Sequence, residues 1–143
     1  ELSSEVVLLD YDIEKFSINV HQTISILPDD FKGENTGAAI RITPDGRFLY
    51  ASNRGHNSLA AFSINQENGE LSLVSFYDTL GDGPRDFNID PTGKFIIAAN
   101  EKSSSVIVYS INQYDGSLRT ISDPIEVPSP VSIEFLNPSK TEE

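Results

Sequence analysis

The sequence contains no cysteine. That excludes disulfides, zinc–thiolate centres and a thiolate nucleophile. It also fits a reducing compartment, so a cytoplasmic location is expected. Positive charge is scarce: 10 Lys and Arg stand against 22 Asp and Glu, a formal net charge of −12. Nucleic acid and anionic lipid surfaces both need clustered cations, so neither is an expected partner. The plainest consequence of the acidic excess is solubility. Long apolar runs are missing as well; those such as Phe95 to Ala99 are far too short to span a bilayer, and no membrane partner is expected. No stretch near Glu1 has the basic-then-apolar layout of a secretory signal. With Glu1 first, the native start is expected to lie upstream. Sustained helical periodicity is absent too.

What is present is β-forming. Hydrophobic residues make up 38% of the chain, with 8 Phe and 5 Tyr, which argues against disorder. The sequence also repeats itself. Ile42-Thr43-Pro44-Asp45-Gly46-Arg47-Phe48-Leu49-Tyr50-Ala51-Ser52-Asn53 matches Ile89-Asp90-Pro91-Thr92-Gly93-Lys94-Phe95-Ile96-Ile97-Ala98-Ala99-Asn100 at an offset of 47 residues. The same offset carries Ser58 to Ser105, Phe62 to Tyr109, Gly69 to Gly116 and Leu71 to Leu118. A partial third copy, Glu1-Leu2-Ser3-Ser4-Glu5-Val6-Val7, aligns with Glu101-Lys102-Ser103-Ser104-Ser105-Val106-Ile107. That offset is 100, so the linker near Asp29 to Asn35 carries six additional residues.

Each unit reads as four short strands, a to d. In the second copy, Arg85 to Asp90 is strand a, Lys94 to Asn100 strand b and Val106 to Asn112 strand c, with strand d starting near Leu118. Pro-Asp-Gly and Pro-Thr-Gly make tight a–b turns, and Asn68-Gly69 and Asp115-Gly116 make the c–d turns. A four-stranded antiparallel unit repeating every 40 to 50 residues is the pattern of a β-propeller blade. The chain is therefore expected to be all-β, a partial propeller of about two and a half blades across residues 1–143. Strands c and d of one blade fall in 1–30, full blades in 38–79 and 84–127, a lone inner strand in 130–136 and a tail in 137–143. Phe48, Tyr50, Phe62, Phe95, Ile97 and Tyr109 are expected to be mostly buried, alike in both copies unless one copy sits on a face where the neighbouring blade is absent. Propellers close with four or more blades, so either upstream sequence or further copies of the chain are expected to complete the ring. Exposed blade edges predict self-association.

The motif Thr43 to His56, with Gly83-Pro84-Arg85-Asp86-Phe87-Asn88-Ile89-Asp90-Pro91-Thr92-Gly93 and Ser129-Pro130-Val131-Ser132-Ile133-Glu134-Phe135, resembles the lactonase family of seven-bladed β-propellers. That family includes 6-phosphogluconolactonases of the propeller type and carboxymuconate-lactonizing enzymes. The resemblance covers essentially the whole chain and keeps order and spacing across three units. It implies a C-terminal portion of a longer protein that hydrolyses a sugar lactone, 6-phosphogluconolactone in the first instance, without metal or cofactor. By itself this stretch is expected to be inactive, since the channel needs a closed ring and a family arginine upstream of Glu1. A non-catalytic propeller that binds a ligand or protein is the alternative from outside enzymology. A carboxymuconate cyclase is the alternative within the family.

Strand reversal gathers Glu1, Asn53, Arg54, His56, Arg85, Asn100 and Glu101 at one end of the sheets, opposite the glycine turns. Lactone hydrolysis needs an activated water, a stabiliser for the oxyanion and donors for an anionic substrate. Arginine serves the last two because its fork stays charged. By resemblance, Arg54 matches a substrate-binding position and Glu1 an acid or base, so these two are the catalytic candidates. Arg85, His56 and Asn53 are the substrate-binding candidates. Plainer roles compete: Arg85 can pair with Asp86 or Glu101 to order the rim, His56 can brace its loop, and Asn53 and Asn100 can bond loop backbone. Glu101, at Glu1's place in the repeat, reads as a solvated loop acid. Asp29, Asp30 and Glu34 lack the spacing of a compact calcium loop. Ser103 to Ser105 lack a nucleophile elbow, which excludes a serine triad.

Overall fold

The computed structural model describes residues 1–136; the tail expected over 137–143 lies outside the described residues. Among those described, every regular element longer than a turn is a strand. β1 (Glu5–Asp12) and β2 (Ser17–Ser25) form a hairpin. β3 (Thr36–Ile42), β4 (Phe48–Arg54), β5 (Ser58–Ile64) and β6 (Leu71–Asp78) form an antiparallel meander in that spatial order. β7 (Pro84–Ile89), β8 (Phe95–Asn100) and β9 (Ser105–Ile111) begin a second meander. Its outer edge is shared by β10 (Leu118–Thr120) and β11 (Ile125–Glu126), which both pair with β9. This outer strand is split where a single strand d was expected. Pro124 has no N–H for the ladder, and the Ser122 hydroxyl takes the Val108 N–H at 3.3 Å instead.

The turns stand where their residues place them. All four close on a glycine whose φ lies between +71° and +78° (Gly93 and Gly69 at the limits), a region that a Cβ disfavours. In the first a–b turn the Thr43 hydroxyl donates to Asp45 Oδ1 at 2.6 Å, which holds that carboxyl below the usual carboxylate range. This end of the sheets is built of self-satisfied turns.

Side-chain alternation then stacks the sheets. Leu49, Ala51, Ala60 and Phe62 pack with Val6 and Ile26 of the preceding unit. Phe48, Tyr50, Leu59 and Ala61, on the other face, pack with Phe87, Ile96, Ala98, Ile107 and Tyr109 of the following sheet. Polar latches repeat along with the apolar contacts. Asn53 Nδ2 donates to the Ile26 carbonyl at 2.6 Å, and Asn100 Nδ2 to the Thr79 carbonyl at 2.8 Å. Each asparagine thus ties the end of strand b to the chain leaving the previous unit. The Tyr50 and Tyr109 hydroxyls donate to the carbonyls of Gly116 and Asp78 across the same interface.

One expectation meets its exception and another requires correction. Phe48 is 6% exposed, but its counterpart Phe95 is 40% exposed and Ile97 is only half-buried. Both point from the face of β8 opposite Ile96 and Ala98, and among the described residues no further sheet lies against that face. Residues 131–136 form no strand where a lone inner strand was expected over 130–136. This segment lies beside β7, held by side chains: Ile133 N–H donates to Asp86 Oδ2 at 2.9 Å, and Asn88 Nδ2 donates to the Ile133 carbonyl at 3.0 Å.

The glycine turns give a paired test of this packing. Nothing lies within 4 Å of a Cβ built at Gly46, whereas one at Gly116 would collide with the Phe48 ring. Gly46→Ala should lose about 1–2 kcal/mol to left-handed strain alone. Gly116→Ala should lose a further ~1–3 kcal/mol through overpacking. Urea unfolding of both variants measures the difference, and equal losses would contradict the Phe48–Gly116 contact.

Candidate functional site

The inner strands β3 and β7 and the loops after strand b frame a polar cleft of about 430 Å³. Its walls carry Glu1, Arg41, Arg54, Arg85 and Asp86, with Ala38, Ala39 and Val131 completing the lining. Glu1 is fixed through its own backbone, whose carbonyl accepts the Gly37 N–H at 2.9 Å as β3 begins. Its carboxylate then meets Arg54, the last residue of β4, with Oε1 to Nη2 at 2.5 Å. Arg54 Nη2 also approaches the Gly37 carbonyl at 3.4 Å, while its Nε is buried without a partner among the described residues. Nη2 is thus engaged and Nε is shut off from solvent, which leaves Nη1 as the donor open to a ligand oxygen.

The cleft unites three of the five sequence candidates. Glu1, Arg54 and Arg85 line it together. Arg85 Nη1 lies 3.6 Å from Glu101 Oε2, so of the two rim acids weighed for it the partner is Glu101. Half-exposed and at that distance, the pair is weak and readily opened.

Asn53 and His56 stand elsewhere, and their assignment to substrate is not supported by position. Asn53 is fully buried in the latch to Ile26 and also accepts Asn35 Nδ2 at 2.9 Å. His56 Nδ1 lies 2.7 Å from the Ser58 hydroxyl, with its ring edge-on to Phe31 and Phe76 at 4.9 and 5.9 Å between centroids. A wedged ring braces the loop; neither side chain lines the cleft.

Two cleft residues escaped the sequence reading. Arg41 on β3 donates through Nη2 to Asp86 Oδ1 at 3.0 Å, joining the inner strands of adjacent sheets. Asp86 is buried, and its other oxygen takes the Ile133 N–H at 2.9 Å, which seats Val131 in the cleft wall. The available signal was a break in the repeat: Arg41 aligns with Asn88, and Asp86 with Ala39. Charge that replaces a neutral residue on an inner strand has no structural duty common to both blades.

The arrangement can hold an anion or polyoxygenated ligand on guanidinium groups and place a carboxylate beside it. Among the described residues no cluster of three or more His, Asp or Glu suits a metal ion. Among the same residues no helix is long and apolar enough to cross a membrane.

Comparison with known proteins gives concordant matches. The family described as lactonase, 7-bladed β-propeller, matches residues 1–135. A protein of Bacillus subtilis (strain 168) named 6-phosphogluconolactonase is 41% identical over 137 residues, covering 96% of this chain and 39% of the relative. A crystal structure of a Lactobacillus plantarum protein superposes with a TM-score of 0.91 at 36% identity, over 96% of this chain and 40% of that one. The periplasmic gluconolactonase of Pseudomonas aeruginosa superposes at 0.89 with 30% identity, over 96% and 38%. The chain therefore spans about two fifths of the length of these relatives.

The Asp86 bridge predicts a local readout. Asp86→Ala removes the acceptor of the Ile133 N–H and leaves Arg41 without its partner. Global stability should fall by about 1–2 kcal/mol, and the Ile133 amide should lose protection in hydrogen exchange. Unchanged exchange at Ile133 would show that the segment is held by other contacts.

Proposed function

This chain belongs to the lactonase family of seven-bladed β-propellers, and from that premise we propose that it supplies part of the active site of a sugar lactonase, with 6-phosphogluconolactone as the preferred substrate. The observation that carries the reading is the Glu1–Arg54 pair at the mouth of a cleft that also holds Arg41 and Arg85. Arg54 meets the lactone carbonyl oxygen and stabilises the charge that develops there. Glu1 takes a proton from water as the water oxygen bonds to the carbonyl carbon. The ring C–O bond then breaks, the proton on Glu1 passes to the leaving ring oxygen, and an open-chain aldonic acid results with Glu1 again a carboxylate. Arg85, freed from its loose contact with Glu101, meets a further oxygen of the substrate.

A cytoplasmic site of action accompanies this reading, because a phosphorylated substrate does not cross a membrane unaided. The gluconolactonase from Pseudomonas aeruginosa, described as periplasmic, shares the fold, so the fold does not set the compartment.

In the complete polypeptide that carries this sequence, Arg54 should outweigh His56. Losing a charge-assisted hydrogen bond costs about 1.5–3 kcal/mol, or roughly ten- to 150-fold in kcat/KM. Arg54→Ala should fall in that range, and Arg54→Lys should be clearly impaired because an ammonium lacks the fork. His56→Ala should stay within a few-fold of wild type. Following lactone ring opening for each variant tests this; an inactive His56 variant beside healthy Arg54 variants would overturn the assignment.

The uncovered face bearing Phe95 and Ile97 supports a second proposal, that the isolated chain associates with further copies of itself. Sedimentation velocity of the 143-residue chain should show species above monomer mass. A Phe95→Glu, Ile97→Lys variant should shift the distribution towards monomer. A wild-type chain that stays monomeric at high concentration would refute it.

A further inference from the structure

Beside the cleft lies a second polar pocket of about 490 Å³, lined by Glu34, Asn35, Thr36, Arg54, Gly55 and Lys102. Arg54 belongs to the walls of both cavities, so one ligand can touch the cleft and the pocket through a shared guanidinium. We propose that this pocket is a phosphate subsite in which Lys102 and Arg54 hold the terminal phosphate of a phosphorylated sugar acid or lactone. The proposal deepens the lactonase reading and rests on it for what occupies the cleft.

Lys102 is not explained by the loop that carries it. In the repeat it aligns with Gly55 and with Leu2, three unlike residues. The loop backbone is nonetheless shared: the aligned residues Ser4, Asn57 and Ser104 all take left-handed φ values of 54°, 54° and 51°. The conformation therefore does not demand a lysine. Its place is nevertheless prepared, since a Cβ at Gly83 would come within 3.0 Å of Lys102 Cγ, and the bare glycine seats the lysine stem. Among the described residues no carboxylate lies within ion-pair distance of its ammonium, whereas Arg41, Arg54 and Arg85 each have an acid partner.

The chemistry suits a dianion. An ammonium supplies a compact charge, and the Nη1 of Arg54 left free by Glu1 supplies a directed donor. The Thr36 hydroxyl adds a neutral donor in the same pocket. Glu34 is the pocket's one acid and opposes an anion; two cations stand against it. A sugar acid without phosphate would leave Lys102 unused, so the pocket should decide between phosphorylated and plain substrates.

The test uses the complete polypeptide that carries this sequence. Titration with 6-phosphogluconate and with gluconate, followed by calorimetry and amide chemical shifts, gives their affinity ratio. The phosphorylated acid should bind at least about ten-fold more tightly. Lys102→Ala should bring the two ligands within about two-fold while gluconate affinity stays unchanged, and Lys102→Arg should restore most of the preference. Inorganic phosphate alone should shift the amides of Thr36, Gly55 and Lys102 in wild type but not in Lys102→Ala. A preference that survives Lys102→Ala, or equal weakening of both ligands, overturns the subsite. So does a wild-type chain that shows neither preference nor phosphate-induced shifts. Failure of the lactonase reading looks different: gluconate would leave Ala38, Arg54 and Asp86 unshifted while phosphate still perturbs Lys102.

Discussion

Strand β4 puts Phe48 and Tyr50 on one face and Leu49 and Ala51 on the other, so its sheet has to be covered twice. Burying a side chain of this size is worth about 1.5–3 kcal/mol, and two wet faces would forfeit several such terms. Stacking sheet against sheet meets the requirement, and the asparagine latches fix the stacking angle by tying each strand b to the chain arriving from the previous unit. Inner strands then converge with their ends in line. The cleft follows from that convergence, because β3 and β7 reach it only when their sheets are stacked in this register.

Much of this was legible in the sequence because the signals are local. Pro44-Asp45-Gly46 and Asp115-Gly116 specify turns through backbone chemistry that depends on no distant partner. Alternating apolar runs specify strands in the same way. The burial of Phe95 could be stated only conditionally, because it depends on whatever covers the far side of β8 rather than on its own strand. The segment 131–136 has strand composition but pairs with no strand among the described residues, and the side chains of Asp86 and Asn88 hold it instead. Glu1, Arg54 and Arg85 could be gathered from strand direction alone. His56 and Asn53 share their end of the sheet, but strand direction does not reveal which way a side chain turns. Arg41 and Asp86 were hidden because each looks ordinary by itself; only the blade-to-blade comparison sets them apart.

The cleft does not present bare positive charge. Arg54 rests on Glu1, Arg41 on Asp86 and Arg85 on Glu101. Three acids against three guanidiniums leave it close to neutral when empty, which suits a chain of net charge −12. The pairs differ in strength, and the differences assign tasks. Asp86 is buried and doubly bonded, so Arg41 is held in place. Arg85 is half-exposed at 3.6 Å and gives up its partner at little cost. A ligand anion therefore competes most easily for Arg85 and for Arg54 Nη1, the nitrogen that is neither buried nor bonded to Glu1.

Every ladder joins strands that follow one another in sequence, except that β11 returns to β9. Pairings of this kind close short loops, lose little chain entropy and form quickly. Each meander can thus be completed from residues already made and can dock on the unit before it while the ribosome is still adding the next. The segment around Ile133 is different, since its two holding side chains, Asp86 and Asn88, must first be set in β7. The order of synthesis is then also the order of assembly, and the wall of the cleft that carries Val131 closes only after both meanders are in place.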